Sequence, residues 1–429
     1  MPTTPETTLE ALSDRQSRSP EMQTNLVEPF AHTKQGREAE AILRACVHCG
    51  FCTATCPTYQ LVGDELDGPR GRIYLMKMVL EGEAPSRKTQ LHLDRCLTCR
   101  ACETTCPSGV QYGRLVDTGR VAVDARVQRP LAERLMRRVL RGIVPYPKRF
   151  GFFYKLGRIA PQRWSGGMCR TPPRTEASFW PTTPGLERKM LVLDGCVQPV
   201  AAPATNAAAA RVLAKLGIEL VRPEGAGCCG AISHHLSAPE EARTFMRRNI
   251  DAWWPHIEAG AEALVMTASG CGAIVREYGH LLRDDPDYSA KAAKVSGLTR
   301  DLSEVLAREN LQAFAGIGRG RRLAWHSPCT LQHGQKIVGV VERMLQAAGF
   351  ELTPVRDSHL CCGSAGTYSL LQKKLSQPLL HDKLDKLQAG HPAVIATANI
   401  GCQLHLGSES AVPVRHWIEL LDEPGVADS

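Results

Sequence analysis

No stretch of the 429-residue chain approaches the roughly 18 uncharged apolar residues that a membrane-spanning helix needs. The N-terminus, Met1 to about Lys34, is rich in Thr, Ser, Pro and Glu and has no apolar core. It reads as a mobile tail, neither a secretory signal nor an anchor. No Gly-x-Gly-x-x-Gly opens a helix after a strand and no phosphate loop is present, so flavin or nicotinamide binding has no support on this chain. Nothing resembles a nucleic-acid module. The net charge of +8 is modest for this length, and it suits docking to an acidic partner or a lipid surface. The placement these absences imply is the cytoplasm, with the inner face of a membrane as the alternative.

Cysteine is what the chain has in quantity. Its 17 cysteines would suggest disulfides in a small secreted protein. In a chain of this length, clustered at metal-ligand spacings, they point to a reducing compartment. Two copies of one run dominate: Cys46-x2-Cys49-x2-Cys52-x3-Cys56-Pro57 and Cys96-x2-Cys99-x2-Cys102-x3-Cys106-Pro107. This is the ligand run of a [4Fe–4S] cluster, in which the fourth cysteine serves the neighbouring cluster. The expected sets are Cys46, Cys49, Cys52 and Cys106 for one cluster, and Cys96, Cys99, Cys102 and Cys56 for the other. Structural zinc favours paired C-x2–4-C or C/H spacings instead. Two clusters imply electron transfer, and without a nucleotide site the electrons must come from another subunit.

Between the runs, Asp67-Gly68-Pro69 followed by Ile73, Leu75, Met76 and Val79 reads as a capped helix roofing the clusters. Arg70 and Arg72 could offset cluster charge there, or simply be solvated. From about Gln128 to Trp164, Arg134, Arg137, Arg138, Arg141, Lys148 and Arg149 interleave with Leu131, Leu135, Leu140, Phe150, Phe152 and Phe153. Such a basic amphipathic stretch can lie on a membrane. The alternatives are an apolar face packed on the ferredoxin module or a protein-docking role. Thr171–Pro184, with its prolines, reads as a linker.

The rest is an internal duplication. Cys196, Cys228-Cys229-Gly230 and Cys271 repeat as Cys329, Cys361-Cys362-Gly363 and Cys402. The first interval is 32 positions in both copies, the second 42 and 40. Apolar runs Met190–Leu193 and Leu323–Trp325 precede the first cysteines. Helices (206–216; 338–348), strands (Glu219–Val221; Glu351–Pro354) and further apolar runs (Ala263–Met266; Ala393–Ala396) follow in the same order. Val295–Leu302 with Ser303–Ala307 matches Val412–Val414 with Trp417–Leu421. This alternation implies parallel α/β units, whose functional groups gather at the carboxyl ends of strands.

A cysteine between a strand end and a helix start feels backbone N–H donors that favour the thiolate. Four thiolates per copy (Cys196, Cys228, Cys229, Cys271; Cys329, Cys361, Cys362, Cys402) suit an iron–sulfur cluster or one Zn²⁺ each. Packing as small hydrophobes is the competing account, and the matched spacing argues against it. Cys169 is left over, an incidental thiol. His48, His326, His333, His359 and His405 lie beside these sites. They could donate to cluster sulfurs, bind a quinone or relay protons, or be ordinary hydrogen-bonded residues.

A two-cluster ferredoxin run followed by two Cys-Cys-Gly repeats resembles the iron–sulfur subunits of bacterial hydroxy-acid oxidising complexes, above all those of glycolate oxidase. Its second half is also similar to the Cys-Cys-Gly subunit of heterodisulfide reductase and to the membrane-anchoring subunit of anaerobic glycerol-3-phosphate dehydrogenase. The resemblance rests on Ile42–Pro57, Gly63–Arg72, Asn249–Pro255, Thr267–Gly272 and Asp357–Tyr368, and runs from about residue 37 to 422. It implies a subunit inactive alone, with no catalytic residues of its own. Such a subunit carries electrons from flavin-containing partners, which oxidise glycolate to glyoxylate, to a quinone or other acceptor. A lactate or glycerol-3-phosphate dehydrogenase subunit, or a thiol–disulfide reductase, are the alternatives. Heterodisulfide-reductase repeats end in Cys-x-x-Cys, whereas Ala268 and Asn399 stand three positions before Cys271 and Cys402, which puts a five-thiolate site in doubt.

The expected fold is α/β overall: a helical two-cluster ferredoxin-like domain, then two duplicated α/β cysteine-rich domains. The expected boundaries are a tail at 1–36, the ferredoxin-type domain at 37–127, connector and linker at 128–186, and the repeats at 187–318 and 319–429.

Overall fold

The computed structural model describes residues 22–159, 179–183 and 185–423. The chain divides into two compact units. One comprises the chain up to Cys96 together with Cys102–Gln128; the other comprises Leu97–Ala101 and the chain from Arg129 onward.

Among the described residues every regular element of the first unit is helical, the α-helices being α1 (Lys34–Arg44), α2 (Pro57–Val62), α3 (Pro69–Leu80), α4 (Arg87–Asp94), α5 (Ala101–Thr105, its first residue excepted) and α6 (Tyr112–Asp124). Local chemistry sets their starts. Thr33 accepts from the Gly36 N–H to cap α1, Pro69 occupies the first turn of α3, and Ser86 and Thr89 form a capping box on α4. The apolar faces of α1, α3 and α6 meet in one core that includes Leu43, Met76, Leu80, Leu115 and Val116. The expected tail is shorter than 36 residues. Met22, Leu26 and Phe30 pack on this core, and the Val27 N–H donates to Leu80 O at 3.1 Å. Half-burying three large apolar side chains outweighs the polar composition around them. Residues 1–21 lie outside the described residues.

The second unit opens with the connector helices α7 (Leu131–Ile143) and α8 (Pro147–Ile159). Tyr146 packs edge-on against Phe245, and Arg141 pairs with Glu241 at 3.3 Å. Of the roles the sequence left open for this stretch, exposure of Leu131, Leu135 and Val139 at 79%, 64% and 42% speaks for a membrane or docking face of α7 over a packed one. Most of the expected linker, and Cys169, fall outside the described residues.

Each repeat is a four-stranded parallel sheet. The first copy comprises β1 (Arg188–Val192), α9 (Ala204–Lys215), β2 (Ile218–Val221), α10 (Pro239–Glu258), β3 (Leu264–Met266), α11 (Ser269–Val275), β4 (Thr299–Asp301) and α12 (Leu302–Leu306). The second comprises β5 (Arg322–His326), α13 (Val340–Ala347), β6 (Glu351–Leu352), α14 (Lys373–Gln388), β7 (Val394–Thr397), α15 (Ile400–Gly407), β8 (Val414–His416) and α16 (Trp417–Leu421). Strand orders are β2-β1-β3-β4 and β6-β5-β7-β8, the same topology twice. The central strands are apolar on both faces because helices cover both.

Two strands are shorter than expected. Val295–Leu298 finishes a helix, where Thr299 Oγ1 donates back to Val295 O at 2.8 Å, and only Thr299–Asp301 pairs. In the second copy β6 stops before Pro354, which has no N–H for a ladder. The copies share a core in which Val192 and Val265 join Leu323, Trp325 and Trp417. Polar contacts cross between them: Thr205 Oγ1 donates to Glu419 at 2.6 Å, and His416 Nε2 lies 2.8 Å from Thr267 O.

Candidate metal centres

In the first run the backbone turns left-handed at His48 (φ 54°) and Gly50 (φ 85°); in the second it does so at Thr98 (φ 54°) and Arg100 (φ 60°). Both runs therefore coil alike, two and four residues after their first cysteine. Arg100 accepts a strained conformation that Gly50 takes freely, and its guanidinium pairs with Glu277 at 3.2 Å.

Cys46, Cys49, Cys52 and Cys106 line one opening with Gly50, Arg70, Ile73 and Pro107. Burial and then the proximity of Cys46, Cys106 and Cys49 push the Cys52 thiol up to about 11. Cys46 rises too, through burial and then Cys106 and Cys49. Crowded thiols of this kind resist ionising together unless a cation compensates them. The donor set therefore fits an iron–sulfur cluster.

Cys56, Cys96 and Cys102 gather around a second pair of side chains. Arg72 neighbours Cys96 and Cys56, and Tyr112 neighbours Cys96 and Cys102, with its hydroxyl 3.7 Å from Cys96 Sγ. Arg72 is 1% exposed, so it is not the solvated arginine the sequence allowed. Its guanidinium donates to His92 O at 2.7 Å and to Thr58 Oγ1 at 3.2 Å, and faces Asp67 at 3.5 Å. Asp67 is itself buried, with His92 Nδ1 at 3.0 Å and Arg95 at 2.7 Å. Burial would lower the Arg72 pKa, yet the thiols, Tyr112 and Asp67 carry it above its ordinary value. Arg120 donates to Leu93 O and, at 2.7 Å, to Cys96 O, holding the start of the second run. Cys99 belongs to the second unit with Leu97, and there both pack with Cys361 and Tyr368.

Each repeat gathers its four cysteines. In the first copy Cys196 hydrogen-bonds Cys228, and Cys229 reaches both Cys228 and Cys271. Hydrogen bonds from Cys196 and Cys229 hold Cys228 well below the ordinary thiol range. Asn249 accepts from the Gly227 N–H and donates to Cys228 O, both at 2.8 Å, which fixes the turn. In the second copy Cys329 and Cys361 sulfurs lie 3.8 Å apart, and Cys362 reaches Cys361 and Cys402. Hydrogen bonding to Cys361 and burial push Cys329 up. Asn399 Nδ2 lies 3.5 Å from Cys402 Sγ, so an amide donor stands where a fifth thiolate would. Among the described residues every cysteine is free of disulfides.

The histidines separate into two kinds. His333 Nε2 lies 2.8 Å from His359 O, and His405 Nε2 lies 3.1 Å from Ser376 Oγ, so both are held by protein groups. His326 has no such partner at either ring nitrogen. Sequence reasoning did not single out His92, Arg95, Asn249 or Arg120, and it read Asp67 as part of a helix-opening turn, not as a buried charge. Asn249 stood in a motif that carries the resemblance, and that was its one visible signal.

Among known protein families, the 4Fe-4S dicluster domain matches residues 42–110, and the cysteine-rich domain matches residues 190–276 and again 323–407. The glycolate oxidase iron–sulfur subunit of Escherichia coli (strain K12) is 54% identical over 403 residues, covering 94% of this chain and 99% of its own length. The chain belongs to the family of glycolate oxidase iron–sulfur subunits. A Bacillus subtilis member, named a probable glycolate oxidase iron–sulfur subunit, is 31% identical over 87% of this chain and 90% of its own length. Lactate utilization protein A of Bacillus velezensis is 29% identical over half of this chain. Membership brings two [4Fe–4S] clusters and a cysteine-rich repeat to the chain. No helix among the described residues is long and apolar enough to cross a membrane.

Proposed function

We propose that this chain carries electrons within a glycolate-oxidising complex, from flavin-containing partner subunits to a quinone or another acceptor. The observation that carries the reading is the approach of Cys106 to Cys46, Cys49 and Cys52 across the length of the dicluster domain. On this reading Cys46, Cys49, Cys52 and Cys106 hold one cluster, and Cys96, Cys99, Cys102 and Cys56 the other. Cys196, Cys228, Cys229 and Cys271, with Cys329, Cys361, Cys362 and Cys402, hold a metal in each repeat. The clusters supply one-electron exchange when bound. The chain's own residues do the rest: Arg72 offsets thiolate charge from a buried position, Arg120 fixes the Cys96 carbonyl, and Asn249 and Asn399 orient the repeat cysteines. Substrate choice falls to the flavin partners, and glycolate is supported by the names of the full-length relatives. The proposed location is the cytoplasm, with peripheral attachment through α7 and α8. Leu131, Leu135, Phe152 and Leu156 are exposed there among basic side chains, a pairing that suits anionic lipid. Co-sedimentation with vesicles containing anionic lipid tests this; Leu131→Glu with Leu135→Glu is expected to lose it.

The decisive experiment uses the assembled complex carrying Cys99→Ser. Rapid-mixing absorbance should show glycolate still reducing the flavin at the wild-type rate, because hydride transfer needs only the flavin site. Reduction of quinone or dye should collapse. Slow flavin reduction in an intact complex would give this subunit a part in substrate chemistry and end the reading.

A further inference from the structure

The two repeats share topology and cysteine spacing, but they differ in one pair of strand ends. His326, at the end of β5, is 2% exposed, and neither ring nitrogen has a hydrogen-bond partner. Thr397, its register partner on β7, is fully buried with its hydroxyl equally unpartnered. The equivalent positions in the first copy, three residues before the first cysteine and five before the last, are Leu193 and Met266. Both pack there as ordinary core side chains beside Cys229. An apolar pair has thus become a polar pair in one copy only. Three buried polar atoms without partners are destabilising unless something satisfies them.

What lies before the imidazole is sulfur. A ring nitrogen of His326 and the sulfurs of Cys362 and Cys402 all lie within 4.8 Å of one another. Cys361 and Cys329 continue the thiol chain, with sulfurs 3.8 Å apart. Thiolates about 2.3 Å from one tetrahedral ion stand about 3.8 Å apart, so the spacing is that of metal ligands. The neutral imidazole is the form that binds a metal, and a metal would supply the partner that this ring lacks. The buried Lys383, whose ammonium donates to Asp357 O at 2.9 Å, places a cation near Cys361 and Cys362. The neutral Asn249 stands at the corresponding place in the first copy.

We propose that His326 ligates, through a ring nitrogen, the metal held by the cysteines of the second repeat, so that one repeat builds a nitrogen–sulfur centre and the other an all-sulfur one. The shared chemistry is a borderline transition-metal ion that accepts both thiolate and imidazole. Zinc and the iron of a cluster are the two sources. This ligation goes beyond the electron-transfer reading and stands or falls without glycolate, because its readout is the ligand shell.

The test uses the full-length protein purified anaerobically with its metals. Zinc and iron are counted per chain, the zinc edge is examined by X-ray absorption, and the reduced iron centres by pulsed EPR for nitrogen coupling. Zinc in the site predicts a shell of nitrogen and sulfur; iron in the site predicts a nitrogen coupling. In either arm His326→Leu, which installs the first copy's residue, should remove the nitrogen. It should also lower retention of that metal against a chelator at least about tenfold, while the dicluster iron is unchanged. His326→Cys should keep the metal with sulfur alone. Absence of first-shell nitrogen in the wild-type protein overturns the proposal, as does a His326→Leu protein with unchanged metal content and spectra. Should His326→Leu fail to fold, the wild-type spectra and His326→Cys decide the matter.

Discussion

Single buried polar side chains organise this molecule, and His416 shows how one can join two repeats. Its Nδ1 accepts the Ile418 N–H that opens α16, and its Nε2–H donates to Thr267 O of the first copy. Both bonds need the neutral ring with that tautomer. Burial pushes its pKa down to about 4, whereas the unfolded chain titrates near 6.5. The folded value is depressed, so the stabilisation is present above about pH 6.5 and is lost as pH falls through 4. Its size is about 3 kcal/mol. Asn at position 416 retains a capping acceptor but does not reach Thr267. Denaturant titration of His416→Asn should show a loss of about 1–3 kcal/mol at pH 7. The dependence on pH between 6.5 and 4 should also be shallower than in the wild type. A slope equal to the wild type would mean another group carries the acid sensitivity.

Among the elements, the Cys-Cys-Gly turns are the tightest joints. Gly230 and Gly363 have φ of +90° and +86°, and a Cβ at either would stand 3.0 Å from Ala242 O or 2.7 Å from Ser376 O. The glycine thus supplies a left-handed backbone and lets the following helix pass close by. Both sulfurs of the pair then face the site. Gly363→Ala combines left-handed strain with overpacking and should destabilise the second unit by about 2–4 kcal/mol. Loss of metal from the second repeat should accompany it, with the dicluster iron retained; metal analysis beside denaturant unfolding separates the two effects. The fold of these elements was readable because strands with apolar runs and helices with capping residues alternate in the same order twice. The start of β4 was not, since a threonine side chain returning to Val295 O decides it. Nor was the exposure of α7, whose periodicity states only that a face is apolar, not what covers it.

At the scale of the whole chain, the count and sharing of clusters are the measurable quantities. Two cubanes need about 8 Fe per chain, and iron in the repeats would raise this toward about 12–16. Cys56 lies 3.3 Å from Thr58 Oγ1 and beside Arg72, which also neighbours Cys96. Cys56→Ser should therefore perturb the EPR signal of the centre built on Cys96, Cys99 and Cys102. An effect confined to the centre of Cys46, Cys49 and Cys52 would make the two runs independent.

Spacing alone determined the chemistry of this protein, because thiolates at three-residue intervals converge on a cluster whatever surrounds them, and a matched interval of 32 reveals a repeat. Tertiary structure decided the rest. The sequence shows Arg72 and Asp67 as charges near a turn, and packing makes them a buried pair behind the cysteines. It shows Leu97–Ala101 as part of the second run, and contacts assign it to the other unit. It shows His326 as one of five histidines beside the cysteine sites, with nothing to separate it from the other four. Whether a side chain is desolvated and left without a partner depends on residues distant along the chain, and only the folded chain brings those together.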